Sequence, residues 1–164
     1  MSHFTKIETD NQFTSPELLV TAFTKLGYKD VEYFSEAVTL KDYYAVRGKA
    51  DQTQALANII VPFSSNQQRC TSDFGYLEVE GKLNLNADSM DTYRLSQELP
   101  KLQQAYNQLK VEAMVNNIKE TAKTLNKGTP EIELTEDTGK IQVKIAYPAD
   151  IRRHNQLKQQ NIRR

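Results

Sequence analysis

The run Leu56-Ala57-Asn58-Ile59-Ile60-Val61-Pro62-Phe63, with Phe74-Gly75-Tyr76-Leu77-Glu78-Val79-Glu80-Gly81-Lys82-Leu83-Asn84-Leu85 beyond a polar gap, decides the fold class. β-branched and aromatic side chains suit a pleated, half-buried surface, and Ile59, Ile60, Val61, Phe74, Tyr76 and Val79 supply them here. Glu80-Gly81 reads as a tight turn carrying the chain from one strand onto Leu83 and Leu85. Outward from this core, Val31–Phe34 and Asp42–Arg47 read as further strands, the second through Tyr43, Tyr44 and Val46. His3–Glu8 alternates well enough for another. Ser64–Ser72 is polar throughout and reads as a loop.

Helices flank these strands. Ser15 is a capping residue, Pro16 fits a first helical position where its missing N–H costs nothing, and Glu17 favours the positive end. Leu18, Leu19, Ala22, Phe23 and Leu26 follow at helical spacing, and Gly27 offers a left-handed stop. A second helical region covers Asp91–Leu125. Proline costs about 3 kcal/mol inside a helix and little in its first turn, so the main helix is expected to begin at Pro100 and to end near Lys127-Gly128 and Pro130. Its apolar residues begin as Leu102, Tyr106, Leu109 and Ala113 and drift to Val111, Val115, Ile118, Ala122 and Leu125. Glu131–Leu134 and Lys140–Ala146 read as a closing hairpin. The fold class expected is α+β: a mostly antiparallel sheet with two main helices packed on one face. One domain is expected over 1–149, with a basic tail over 150–164.

At 164 residues, with 38% hydrophobic and 26% charged content, the chain can bury a core of its own and is not of disordered composition. No stretch approaches the roughly 18 apolar residues of a membrane span, and the N-terminal residues lack the pattern of a secretory signal. A lone cysteine, Cys70, suits a reducing compartment, so the expected location is cytoplasmic or plastid stroma. The formal net charge is zero but unevenly placed. Arg152, Arg153, Lys158, Arg163 and Arg164 make residues 151–164 basic without an acid, leaving 16 basic and 21 acidic residues before them.

Several stretches together resemble the hypothetical chloroplast reading frame family thirty-five, of plastids, cyanobacteria and other bacteria. They are Met1-Ser2-His3-Phe4-Thr5-Lys6-Ile7, the helix Leu18–Gly27 closing in Leu26-Gly27-Tyr28, Val46-Arg47-Gly48 leading to Ala57–Val61, and Asp73-Phe74-Gly75-Tyr76. Leu102–Ala122 and Ile132–Ile145 complete the likeness, which covers most of the chain through short motifs. Polar insertions at Asp10–Thr14 and Ser64–Thr71 and the basic tail depart from the family pattern. The resemblance implies no activity and transfers no catalytic residue.

Motifs that spell chemistry have simpler readings. Asp73-Phe74-Gly75 matches a kinase metal triplet, but the glycine-rich loop, lysine strand and catalytic loop it needs are missing. Asp137-Thr138-Gly139 matches an aspartic protease triplet, yet Asp and Gly are the ordinary residues of a hairpin turn. His3, His154 and Cys70 lack the local spacing of a zinc site or nucleophile pair. Gly48-Lys49 has no preceding glycine at phosphate-loop offset. Glu131, Glu133, Glu136 and Asp137 read as a solvated strand face. Tyr28, Tyr33, Tyr43, Tyr44 and Tyr76 could form a stacking platform for a base, but few basic residues adjoin them and sheet packing is their expected use.

What remains is a non-enzymatic binding or accessory protein acting through a protein partner, with no cofactor and no metal expected. A nucleic-acid-binding protein is the first alternative, with Arg152, Arg153, Lys158, Arg163 and Arg164 contacting phosphates. An enzyme with a dispersed acid–base set, such as Asp73, Tyr76 and Tyr106, is the second.

Overall fold

Alternation of apolar and polar residues sorts the central strands into two faces. In the computed structural model, which describes residues 4–7, 13–51, 54–66, 69–137, 140–148 and 152, β3 (Leu56–Val61) turns Ala57, Ile59 and Val61 inward. β4 (Phe74–Val79) buries Phe74 and Tyr76, and β5 (Lys82–Asp88) buries Leu83, Leu85 and Ala87. Tyr76 stands opposite Ile59 on one side and Leu85 on the other. With β1 (Phe4–Ile7) and β2 (Glu32–Thr39), these strands form an antiparallel sheet in the order β1-β5-β4-β3-β2. The fold class is α+β, as the sequence leads one to expect. Glu80 and Gly81, at φ 52° and 73°, close the β4–β5 hairpin.

α1 (Pro16–Lys25) is built as its sequence suggests. The Ser15 hydroxyl accepts the Leu18 N–H at 3.4 Å. At the other end Gly27 takes φ 87°. The Gly27 and Tyr28 N–H groups then reach the Thr24 and Phe23 carbonyls. This is the Schellman closure, and its usual apolar contact is present as Tyr28 edge-on to Phe23 at 5.2 Å.

Three expectations are corrected. The long helix α3 runs Thr92–Thr124 and contains Pro100 instead of starting there. Leu95 and Leu99, one and two turns in, are buried with Leu102, Ala105, Tyr106 and Leu109 in the core shared with α1 and the sheet. Burying such side chains gives about 1.5–3 kcal/mol each, enough to offset the proline. Asp42–Arg47 is not a strand. Asp42 Oδ1 accepts the N–H groups of Tyr44 and Ala45 at 2.9 and 2.8 Å, which winds Ala45–Arg47 into a 3-10 turn ended by Gly48 at φ 75°. The polar stretch after β3 opens with a short helix, α2 (Phe63–Asn66).

β2 and β3 change register between Tyr33/Ile59 and Val38/Ala57. The buried Asn58 serves the interrupted ladder, donating to the Phe34 carbonyl at 3.1 Å and accepting the Glu78 N–H at 2.9 Å. The chain divides into two compact units, 1–110 and 111–164. In the second, β6 (Glu131–Asp137) and β7 (Lys140–Ala146) make a separate two-stranded sheet.

Candidate functional site

Side chains that carry chemistry gather in the first unit where β5 hands over to α3. Asp91, 2% exposed, precedes α3. Both its carboxylate oxygens accept the Thr71 N–H at 2.9 Å, and Oδ2 also accepts the Thr71 and Ser72 hydroxyls at 3.0 and 3.4 Å. Asp73 staples a second pair of segments. Its Oδ1 accepts the Phe63 N–H at 2.8 Å and its Oδ2 the Lys41 N–H at 3.1 Å. The Met90 N–H is taken by Asp88 at 3.0 Å. Charged acceptors for backbone donors hold strongly, and together they fix residues 69–73 beside the start of α3.

That fixed segment positions Arg69. Its N–H donates to the Asn66 carbonyl at 2.6 Å, and its own carbonyl accepts Arg94 Nη1 at 2.7 Å. The Arg69 guanidinium lies 4.3 Å from the ring centre of Tyr28, a cation–π contact. Burial pushes the Tyr28 hydroxyl above its ordinary pKa, partly offset by the hydrogen bond and charge of Arg69. Tyr28 also lines a notch, with Phe23, Leu26, Tyr76, Leu99 and Glu98 among its other walls. Its free space is of the order of one water molecule, far below the roughly 300–1,000 Å³ of a small-molecule chamber. Met90 and Tyr93, 60% and 76% exposed, mark the same end of α3.

Cys70 is buried beside this cluster. Burial, then the charge of Asp91, pushes its thiol up to about 12. A nucleophilic cysteine needs the opposite shift. Alkylation of Cys70 by iodoacetamide at pH 7.5 should therefore be slow in the folded protein and fast in denaturant; equal rates would show that the thiol is open. Because the unfolded thiol titrates near 9.0, its burial contributes full stability below that pH and loses it as pH rises toward 12. Tyr28 and Tyr76, both raised by burial, act in the same direction.

The dispersed acid–base set is not assembled. Asp73 is a backbone staple. Tyr76 sits in the core, its hydroxyl raised by burial. The Tyr106 hydroxyl accepts the Thr14 and Ser15 N–H groups at 3.1 and 3.0 Å. Burial raises the Tyr106 pKa, but these bonds, with that of the Thr14 hydroxyl, bring it below the ordinary value. The Phe13 ring contacts both tyrosines, 5.6 Å from Tyr76 and 5.0 Å from Tyr106. Nor do the five tyrosines form a platform: Tyr28 and Tyr76 are core, Tyr33 is exposed on β2, and Tyr43 stacks under Arg47 at 3.7 Å with Tyr44 edge-on to it at 5.4 Å. Among the described residues no three of His, Cys, Asp and Glu gather as a metal site, and no helix is long and apolar enough to cross a membrane. Of the basic tail, Arg152 is exposed; Arg153, Lys158, Arg163 and Arg164 lie outside the described residues, as do His3 and His154.

No family model, curated protein or solved structure matches the chain. Arg69, Asp91, Arg94 and Glu98 had no signal in the sequence. No spacing rule pairs Arg69 with Tyr28, and Asp91, though it opens the expected helical region Asp91–Leu125, stands nine residues before the expected start of the main helix at Pro100.

Proposed function

We propose that the protein is a non-enzymatic accessory protein that binds a protein partner at the Arg69–Tyr28 pair and the adjoining end of α3. The observation that carries this reading is the exposed Met90 and Tyr93 beside Arg69 and Arg94, built on a rigidly stapled segment. Met, Tyr and Arg are the residue types enriched in protein interfaces, and Tyr and Arg in their energetic centres. The notch that Tyr28 lines admits one small apolar group, and the Arg69 guanidinium against the same ring favours a carboxylate on the partner's segment. The carboxylates and thiol nearby serve as staples and core, which supports binding over catalysis. A buried, unpaired Cys70 is compatible with a reducing compartment.

Affinity purification from the protein's own cells tests this, using the full chain, a chain ending at Asp150, and Arg69→Glu with Tyr93→Ala in the full chain. A partner in near-equal amount with the first two, lost with the double variant, supports the reading. A partner indifferent to the double variant overturns it. Nucleic acid recovered by the full chain alone would overturn it in favour of the tail.

A further inference from the structure

Two strands alone rarely make a stable sheet in water, and among the described residues the β6–β7 sheet has two. On one face it pairs Ile132 with Ile145 and Leu134 with Val143. Leu134 and Ile145 remain 49% and 39% exposed. Its two outer edges differ in what they could accept. An antiparallel copy of β6 centred on Leu134 would set Glu131 against Asp137 and Ile132 against Glu136, an acidic and mismatched register. An antiparallel copy of β7 centred on Val143 sets Val143 against itself, Ile141 against Ile145 and Gln142 against Lys144, with no like charges opposed.

The backbone fits the same register. Asp137 pairs with Lys140 across a two-residue connection, and the closing pair of such a hairpin is hydrogen-bonded. Alternation along an antiparallel ladder then turns Gln142, Lys144 and Ala146 toward β6, and directs the N–H and C=O groups of residues 141, 143 and 145 to the outer edge. Those are the residues that the Val143-centred register opposes.

We propose that the chain forms a two-fold dimer in which β7 pairs antiparallel with β7 of a second copy, Val143 opposite Val143, giving one continuous four-stranded sheet. The two β6 strands become its edges. Their acidic residues, of which Glu133 faces Lys144 of its own hairpin at 4.0 Å, oppose further addition, so the assembly closes at two. The inference uses residues of the second unit only and stands apart from the partner site on the first.

Sedimentation equilibrium of the full chain should give twice the chain mass. Val143→Cys should cross-link to itself under mild oxidation, while Gln142→Cys and Lys144→Cys should not, because each faces the other position. Val143→Pro removes an outward N–H and leaves the β6–β7 ladder intact, so it should return the mass to that of one chain. A single-chain mass at every concentration overturns the proposal, as does a dimer in which Val143→Cys fails to cross-link. Should Val143→Pro fail to fold, the three cysteine variants still decide.

Discussion

Replacing Gly75 by alanine should destabilise the protein by at least the upper end of the roughly 1–3 kcal/mol usual for overpacking, the largest loss expected of any single methyl group here. A Cβ at Gly75 would collide with the carbonyl oxygen of Ile59 and lie 2.7 Å from Ala57 Cβ and 3.1 Å from Leu40 Cδ2. Leu40 can shift its side-chain end. Ile59 cannot move its carbonyl freely, because β3 pairs with Tyr33 of β2 on one side and with Tyr76 on the other. The close approach belongs to the register shift, where Leu40 and Ala57 crowd onto β4, and Asn86, opposite Gly75, donates to the Leu56 carbonyl at 2.9 Å. Gly81→Ala is the control. Gly81 has φ 73° but open space around it, so alanine there should cost only about 1 kcal/mol of backbone strain. Urea unfolding of both variants checks the contrast. A Gly75→Ala loss no greater than that of Gly81→Ala would mean that the strands do not approach as described.

Gly75 also shows where the sequence could and could not be read. Within Asp73-Phe74-Gly75 the triplet carries no kinase chemistry: Asp73 staples two backbone N–H groups, Phe74 packs in the core, and Gly75 yields space. Local signals were legible. Ser15-Pro16-Glu17, Leu26-Gly27 and Glu80-Gly81 each fix their own backbone within a few residues, and each appears in the structure as a cap, a stop or a turn. Elements decided by distant contacts were not. Leu95 and Leu99 carried α3 back through Pro100 by burying themselves against a core that no local pattern reveals. Asp42, by contrast, turned a β-rich stretch into a 3-10 turn through bonds only two and three residues away, a local signal hidden under the β-forming side chains of Tyr43, Tyr44 and Val46. Distant contacts also decide the candidate site. Arg69 sat in a stretch that reads as polar loop, and bonds made across long sequence separations, by Asp91 to Thr71 and by Arg94 to the Arg69 carbonyl, help to hold it against Tyr28.

Asp91→Ala should be the second severe variant, costing about 3 kcal/mol or more, because hydrogen bonds to a charged group are worth about 1.5–3 kcal/mol and the donors left behind are partly or fully buried. The carboxylate gathers the Thr71 N–H and two hydroxyls; alanine leaves all three facing a void at the mouth of the core. Asp91→Asn separates charge from shape. The amide keeps one acceptor oxygen but must turn its NH2 toward the Thr71 N–H, which now meets both oxygens at 2.9 Å, so its loss should fall between wild type and alanine. The consequence reaches the proposed site through geometry. Once residues 69–72 are released, Arg69 is no longer held over Tyr28, and Cys70 loses its cover. Iodoacetamide should then label Cys70 in Asp91→Ala under conditions where the wild-type thiol is protected, before global unfolding is seen by circular dichroism. If the thiol stays protected until the whole first unit unfolds, the segment is held by packing and not by the carboxylate, and the partner site would need another anchor than Asp91.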